Sequence, residues 1–138
     1  MVTHFNQPVN LPQFLTHLTF GYDFNQPIDL PNIKYLKLDC NNQFIIDNLP
    51  ESIEELELDY YFNLELNNLP NSIKKISFNK YSEYSIELNC LPEFVEYIEL
   101  NENYNLKIQK LPSGLKKIKC FCKYKFLDDF VNFEVITY

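Results

Sequence analysis

A Leu-Pro pair recurs six times in this chain, at Leu11-Pro12, Leu30-Pro31, Leu49-Pro50, Leu69-Pro70, Leu91-Pro92 and Leu111-Pro112, at intervals of 19, 19, 20, 22 and 20 residues. A period held over most of a chain marks a repeat architecture. Each unit is too small to bury its own apolar face, and stability comes from stacking copies. The fold is therefore constrained far more tightly than the function.

Within each unit apolar residues return at fixed offsets from the opening leucine. The third copy has Ile53, Leu56 and Leu58 at offsets of 4, 7 and 9 residues, and its sisters have Leu15, Leu18 and Phe20; Ile73, Ile76 and Phe78; Val95, Ile98 and Leu100; Leu115, Ile118 and Cys120. The second copy is one residue shorter after its proline and places Ile33, Leu36 and Leu38. A second block precedes the next Leu-Pro: an aromatic, then Asn or Ser, then two residues and an aliphatic. It reads Phe5 to Val9, Phe24 to Ile28, Phe62 to Leu66, Tyr84 to Leu88 and Tyr104 to Ile108. The second copy departs again, with Asn42 at the aromatic position and Phe44 two residues later.

Ser52 and Glu55 resemble a helix capping box, yet the equivalent segments Tyr35 to Leu38, Lys75 to Phe78 and Tyr97 to Leu100 alternate apolar and polar residues. That alternation is the signature of a half-buried strand. The second block alternates too, so each coil is expected to hold two short strands. Stacked at about 4.8 Å, they make two parallel sheets around a core of Leu, Ile and Phe columns. The expectation is an all-β parallel solenoid of about six coils in one domain. Residues 1–10 form a partial coil that lacks a polar cap, 11–110 hold five repeats, and 111–138 hold the last repeat and a C-terminal cap with a short strand from Phe133.

The run from Leu18 to Pro31, LTFGYDFNQPIDLP, resembles the FNIP repeat of slime-mould and amoeba-infecting giant-virus proteins. Phe24, Asn25, Pro27 and Ile28 match its signature, as do Phe5, Asn6 and Pro8; later copies keep only the aromatic, the Asn and the final aliphatic. The wider spacing, as in Ile53 to Leu58, is similar to leucine-rich repeats. The resemblance covers roughly residues 5–120. It implies a protein-interaction repeat and, because relatives often carry an F-box, a substrate-recognition part of a ubiquitin-ligase adaptor.

The residues offer little chemistry. Cys40, Cys90, Cys120 and Cys122 contain no metal-binding spacing with His4 and His17, and two isolated glycines cannot build a phosphate loop. Neither an enzyme nor any cofactor or metal is expected, and the cysteines read as reduced thiols. No apolar leader or membrane-spanning run follows Met1, which places the chain inside the cell, in the cytoplasm, or in the host cytoplasm if viral. Nucleic acid is an unsuitable partner: residues 1–110 carry 7 Lys against 16 acids, and the chain has no arginine for bidentate base contacts. Lys116, Lys117, Lys119, Lys123 and Lys125 crowd the C-terminal region and read as solvation of the cap.

Charge patterning marks the informative surface. Lys34-Tyr35, Glu54-Glu55, Lys74-Lys75, Glu96-Tyr97 and Lys116-Lys117 alternate in sign from coil to coil, and Lys37, Glu57, Ser77, Glu99 and Lys119 partly repeat the pattern. Stacking would pair them and set register against slippage. The same face is the candidate partner-binding surface, with Tyr35, Lys37, Glu57, Lys75, Tyr97, Glu99 and Lys117 on it. Phe5 and Val9 mark a candidate self-association end, through which the chain would form a homodimer. The expected partner is a protein, with no nucleic acid, membrane or metal.

Overall fold

The computed structural model of the protein describes residues 4–138, so the first three residues of the expected partial coil at 1–10 lie outside it. Each Leu-Pro pair opens a turn. The proline carbonyl accepts the N–H three residues on, from Leu15, Ile53, Ile73, Val95 and Leu115, at 3.1–3.3 Å. In the shortened second coil the turn closes one residue sooner, Ile33 donating to Pro31 at 2.7 Å. The missing residue is absorbed before the strand, so register is kept.

A strand follows each of the six turns, β1 (His17–Phe20), β2 (Tyr35–Leu38), β3 (Glu55–Leu58), β4 (Lys75–Phe78), β5 (Tyr97–Glu99) and β6 (Lys117–Cys120), and a seventh, β7 (Glu134–Thr137), lies in the C-terminal cap. They form one parallel sheet in chain order. Leu18, Leu36, Leu56, Ile76, Ile98, Ile118 and Val135 align as one column. From Leu36 to Ile118 every member of it is fully buried. This is a parallel β-solenoid, wound as the leucine spacing requires.

A second sheet does not form among the described residues. The block that follows each strand keeps its apolar alternation and buries Phe24, Ile28, Phe62, Leu66, Tyr84, Leu88, Tyr104 and Ile108, but it carries no strand. Proline supplies no donor at Pro8 and Pro27, and side chains satisfy the backbone instead. Tyr84, Tyr104 and Tyr124 donate their hydroxyls to the carbonyls of Leu64, Ile86 and Leu106 in the preceding coil, at 3.2, 3.3 and 2.6 Å. Asn6 and Asn41 accept from the N–H groups of Asn25 and Asn63. The aromatics stack face to face, Phe62 on Tyr84, Tyr84 on Tyr104 and Tyr104 on Tyr124, with centroids 6.1–6.4 Å apart.

The second coil departs as its sequence does. Where the aromatic is missing, a single helical turn, α1 (Gln43–Asp47), buries Ile45 and Ile46 and leaves Phe44 exposed. Asn42 takes part in the polar ladder, its amide donating to the Gln26 carbonyl at 2.9 Å. At the C-terminal end a 3₁₀ helix (Leu127–Phe130) lays Phe130 flat against Tyr124, at 5.4 Å and 7°. The expected terminal strand is β7. At the other end Phe5 stacks on Phe24 at 6.1 Å but stays half exposed.

Only one non-glycine residue described has a left-handed backbone, Asn68 with φ of 59°.

Candidate protein-interaction face

The residues picked out on the sheet share one face. Parallel register puts Tyr35, Glu55, Lys75, Tyr97, Lys117 and Glu134 in one column and Lys37, Glu57, Ser77, Glu99 and Lys119 in the next. The seven candidate residues of this face, Tyr35, Lys37, Glu57, Lys75, Tyr97, Glu99 and Lys117, are all half-buried. Each makes an ion pair or hydrogen bond to a neighbouring side chain.

Opposite charges meet across successive coils. Lys75 pairs with Glu55 at 3.2 Å, Lys116 and Lys74 with Glu96 at 2.7 and 3.7 Å, Lys119 with Glu99 at 2.8 Å, and Lys34 with Glu54. Within the lysine cluster near the C-terminus, Lys116, Lys117 and Lys119 are each met by an acid, Glu96, Glu134 and Glu99.

The tightest network surrounds Lys37. Its ammonium donates to Glu57 at 2.7 Å and lies 2.9 Å from Asp59, while the Tyr35 hydroxyl donates to Glu57 at 2.6 Å. Hydrogen bonding to Asp59 and Glu57 holds Lys37 above the ordinary lysine range despite partial burial. Burial alone would raise Glu57 and Asp59, but the bonds from Lys37, with help from Tyr35 and Asn79, outweigh it and leave both below the usual carboxylate range. Burial, then the bond to Glu57, pushes the Tyr35 hydroxyl up to about 12. Tyr97 repeats the motif, donating to Glu99 at 3.1 Å beneath the Lys75 ammonium, which sits 5.8 Å from its ring. Between the two networks the small Ser77 leaves a shallow dip of about 250 Å³ bordered by Glu57, Lys75, Lys80 and Glu99.

Phe5 and Val9 are not part of this face. Both are partly exposed at the N-terminal end, where Val9 lines a cleft of about 570 Å³ with Pro8, Leu11, Pro27 and Ile28. Among the described residues β1 pairs only with β2, so it forms one edge of the sheet.

Two features escaped the sequence reading. Asp59 completes the Lys37 network from the residue after β3, and Tyr138 reaches back through the cap to donate to the Leu100 carbonyl. In addition, Tyr22, Tyr60, Tyr61 and Tyr81 are exposed in the turns that follow β1, β3 and β4. Their recurrence 11 or 12 residues after Leu11, Leu49 and Leu69 was the available signal.

All four cysteines are free, with Cys40 and Cys120 buried and Cys90 and Cys122 exposed. Burial pushes the Cys40 thiol up to about 11. Among the described residues no group of His, Cys, Asp and Glu could hold a metal ion, and no helix is long and apolar enough to cross a membrane.

This geometry, a parallel sheet laid down one strand per coil, is that of a leucine-rich-repeat-like solenoid. The FNIP Repeat family matches residues 5–41, 29–61, 40–81 and 84–120, and the chain belongs to that family. It is also similar to a solved structure titled "The crystal structure of CroV588 a novel circular LRR protein structure", from the giant virus CroV, with 36% identity and a TM-score of 0.69 over 84% of this chain. The match spans only 19% of that longer protein. No curated protein sequence matches the chain. Family and fold are consistent with a protein-interaction repeat module, and solenoids of this kind are typically non-enzymatic scaffolds.

Proposed function

We propose that the chain is a non-enzymatic module that offers the open face of its sheet to a protein partner, with Tyr35 and Tyr97 as anchors. The observation that carries this reading is the way both rings are held. Each hydroxyl is tied to a carboxylate in the neighbouring column, Glu57 or Glu99, so the rings are ordered before any partner arrives. Ordered aromatics lose little entropy on binding and are favoured at the centre of interfaces. The two lie three strands apart, about 14 Å at the parallel-strand spacing, a span one partner can cover.

In the finer form of this reading, which the family implies, the face selects substrates for a ubiquitin ligase. A photo-crosslinker at Ser77, in the dip between the two networks, is expected to capture a partner, and one at Asn89 on the back of the solenoid is not. Tyr35→Ala and Tyr97→Ala should abolish that capture. Equal capture from both positions would overturn the sheet-face assignment. A captured protein whose lifetime is unaffected by this chain would leave the module and remove the ligase role.

A second reading is self-association through the N-terminal coil. It is favoured by the exposed Phe5, Val9 and Phe14 of the first coil, whose strand β1 pairs only with β2 among the described residues. Light scattering over a wide concentration range tests it: a dimer abolished by Val9→Glu supports it, and a constant monomer mass ends it.

A further inference from the structure

Of the ten tyrosines, six donate their hydroxyls to an acceptor in the protein: Tyr35, Tyr84, Tyr97, Tyr104, Tyr124 and Tyr138. The other four, Tyr22, Tyr60, Tyr61 and Tyr81, stand 44–61% exposed in the turns after the strands. Three of them converge. In the second coil the equivalent turn holds Cys40 and Asn41 in place of tyrosine, and Tyr22 of the first coil meets Tyr61 of the third, with centroids 4.5 Å apart. Tyr60 stands edge-on to Tyr61 at 4.9 Å and 81°. Together they wall a cleft of about 630 Å³ whose lining also includes Asn41, Asn63 and Glu83.

Glu83 sets this cleft apart from the sheet face. Glu54, Glu55, Glu57, Glu96 and Glu99 each have a lysine partner, whereas Glu83 has no ion pair among the described residues and is exposed. An unpaired carboxylate facing ring π-systems is a complementary environment for a cation, which gains from both. The surrounding charge adds long-range attraction, because the chain carries a net charge of −7 and such a field steers basic partners. The cleft is wider than an ammonium group needs, which leaves room for flanking backbone.

We propose that the cleft walled by Tyr22, Tyr60, Tyr61 and Glu83 receives a lysine side chain from a basic segment of a protein partner. The site is separate from the sheet face and does not depend on it.

The test is NMR of the intact protein carrying labelled tyrosine rings, titrated with a short peptide of alternating lysine and serine. The rings of Tyr60 and Tyr61 are expected to shift, while those of Tyr35 and Tyr97 stay in place. Tyr61→Ala and the conservative Glu83→Gln, both at exposed positions, are each expected to weaken binding by up to about tenfold, the scale of a partly desolvated cation–aromatic contact. Added salt should weaken it as well. Equal binding of the peptide with acetylated lysines would overturn the cationic assignment. Shifts at Tyr35 and Tyr97 instead would move the site to the sheet face, and no shift at any tyrosine would remove it. Saturation of the rings by tetramethylammonium with none by the peptide would assign the cleft to a small quaternary ammonium and overturn the lysine reading.

Discussion

The two sides of each coil carry nearly the same apolar alternation, yet one side is a seven-stranded sheet and the other has no strand among the described residues. Spacing explains the difference. Strands in a ladder sit about 4.8 Å apart, whereas the aromatic rings on the opposite side repeat at 6.1–6.4 Å. Coils so packed are wider at the back than at the sheet. The back chains are then too far apart for amide-to-carbonyl bonds, and a tyrosine hydroxyl spans the gap where an N–H cannot. Coils wider at the back than at the sheet curve with the sheet on the inner side. Curvature here follows from the size of one residue in each repeat.

The strongest way to break that comparison is to remove a wedge. Tyr84 is fully buried between Phe62 and Tyr104, and Tyr84→Ala is expected to cost about 3–5 kcal/mol, the usual range for deleting a core aromatic. Leu56→Ala on the sheet side should fall in the same range of about 2–5 kcal/mol. Urea titration measures both. The two sides then contribute alike to stability despite their different bonding. If Tyr84→Ala costs only a fraction of Leu56→Ala, the aromatic stack follows the fold and does not shape it.

Next in size is Gly114. A Cβ there would lie 3.0 Å from the Glu93 carbonyl oxygen and 3.2 Å from the Phe94 Cα, both backbone atoms that cannot step aside. Equivalent turns carry Ser52 and Ser72, so the crowding comes from the local approach of two coils. Gly114→Ala is expected to lower stability by about 1–3 kcal/mol, read as a lower melting temperature. The more selective change is Tyr84→Phe, which keeps the wedge and deletes the bond to Leu64. It is expected to cost about 1 kcal/mol, separating the ring's shape from its hydroxyl.

The sheet side was legible from the sequence because its alternation and its charge columns are bound together by register. Once Leu36, Leu56 and Ile76 align, Tyr35, Glu55 and Lys75 must align too. The back was misleading because Ile86, Glu87 and Leu88 alternate as a strand would. Alternation reports burial on one face, and the backbone separation that decides between strand and irregular chain depends on ring packing in three dimensions. Helix α1 was hidden for a related reason. Phe44, Ile45 and Ile46 are too few to display a helical period, and the turn exists because two isoleucines must fill the place of one missing ring. The tyrosine cleft was concealed because its rings come from the first and third coils, while the second carries Cys40 and Asn41 at the equivalent turn.

Acid should act on the sheet side before the back. Glu57, Asp59 and Glu96 titrate below the ordinary carboxylate range, the first two because hydrogen bonds from Lys37 outweigh their burial and the third chiefly through its bond from Lys116. Half-buried Glu93, bonded to Lys110 and Ser113, is drawn down to about 2. Depressed carboxylates contribute stability that is present above their unfolded values and lost as pH falls through the folded ones. Asp39, raised by burial, has the opposite sign and partly offsets the loss. The net expectation is a urea midpoint that falls as pH drops below about 4.5. Lys37→Met should flatten that dependence, because Glu57 and Asp59 would lose the bonds that depress them.

The smallest effect is the one that links stability to function. Lys75 pairs with Glu55 and lies near the Tyr97 ring at the middle of the sheet face. Exposed pairs of this kind contribute only a few tenths of a kcal/mol, so Lys75→Gln is expected to leave the urea midpoint almost unmoved. Any large loss of partner capture in that variant would then report on recognition, since folding is intact. A large loss of stability would instead mean that the charge columns hold the coils together and that the sheet face is occupied with its own structure. Measured beside Tyr84→Phe, this variant decides whether the two sides divide their labour, the back setting curvature and the front free to bind.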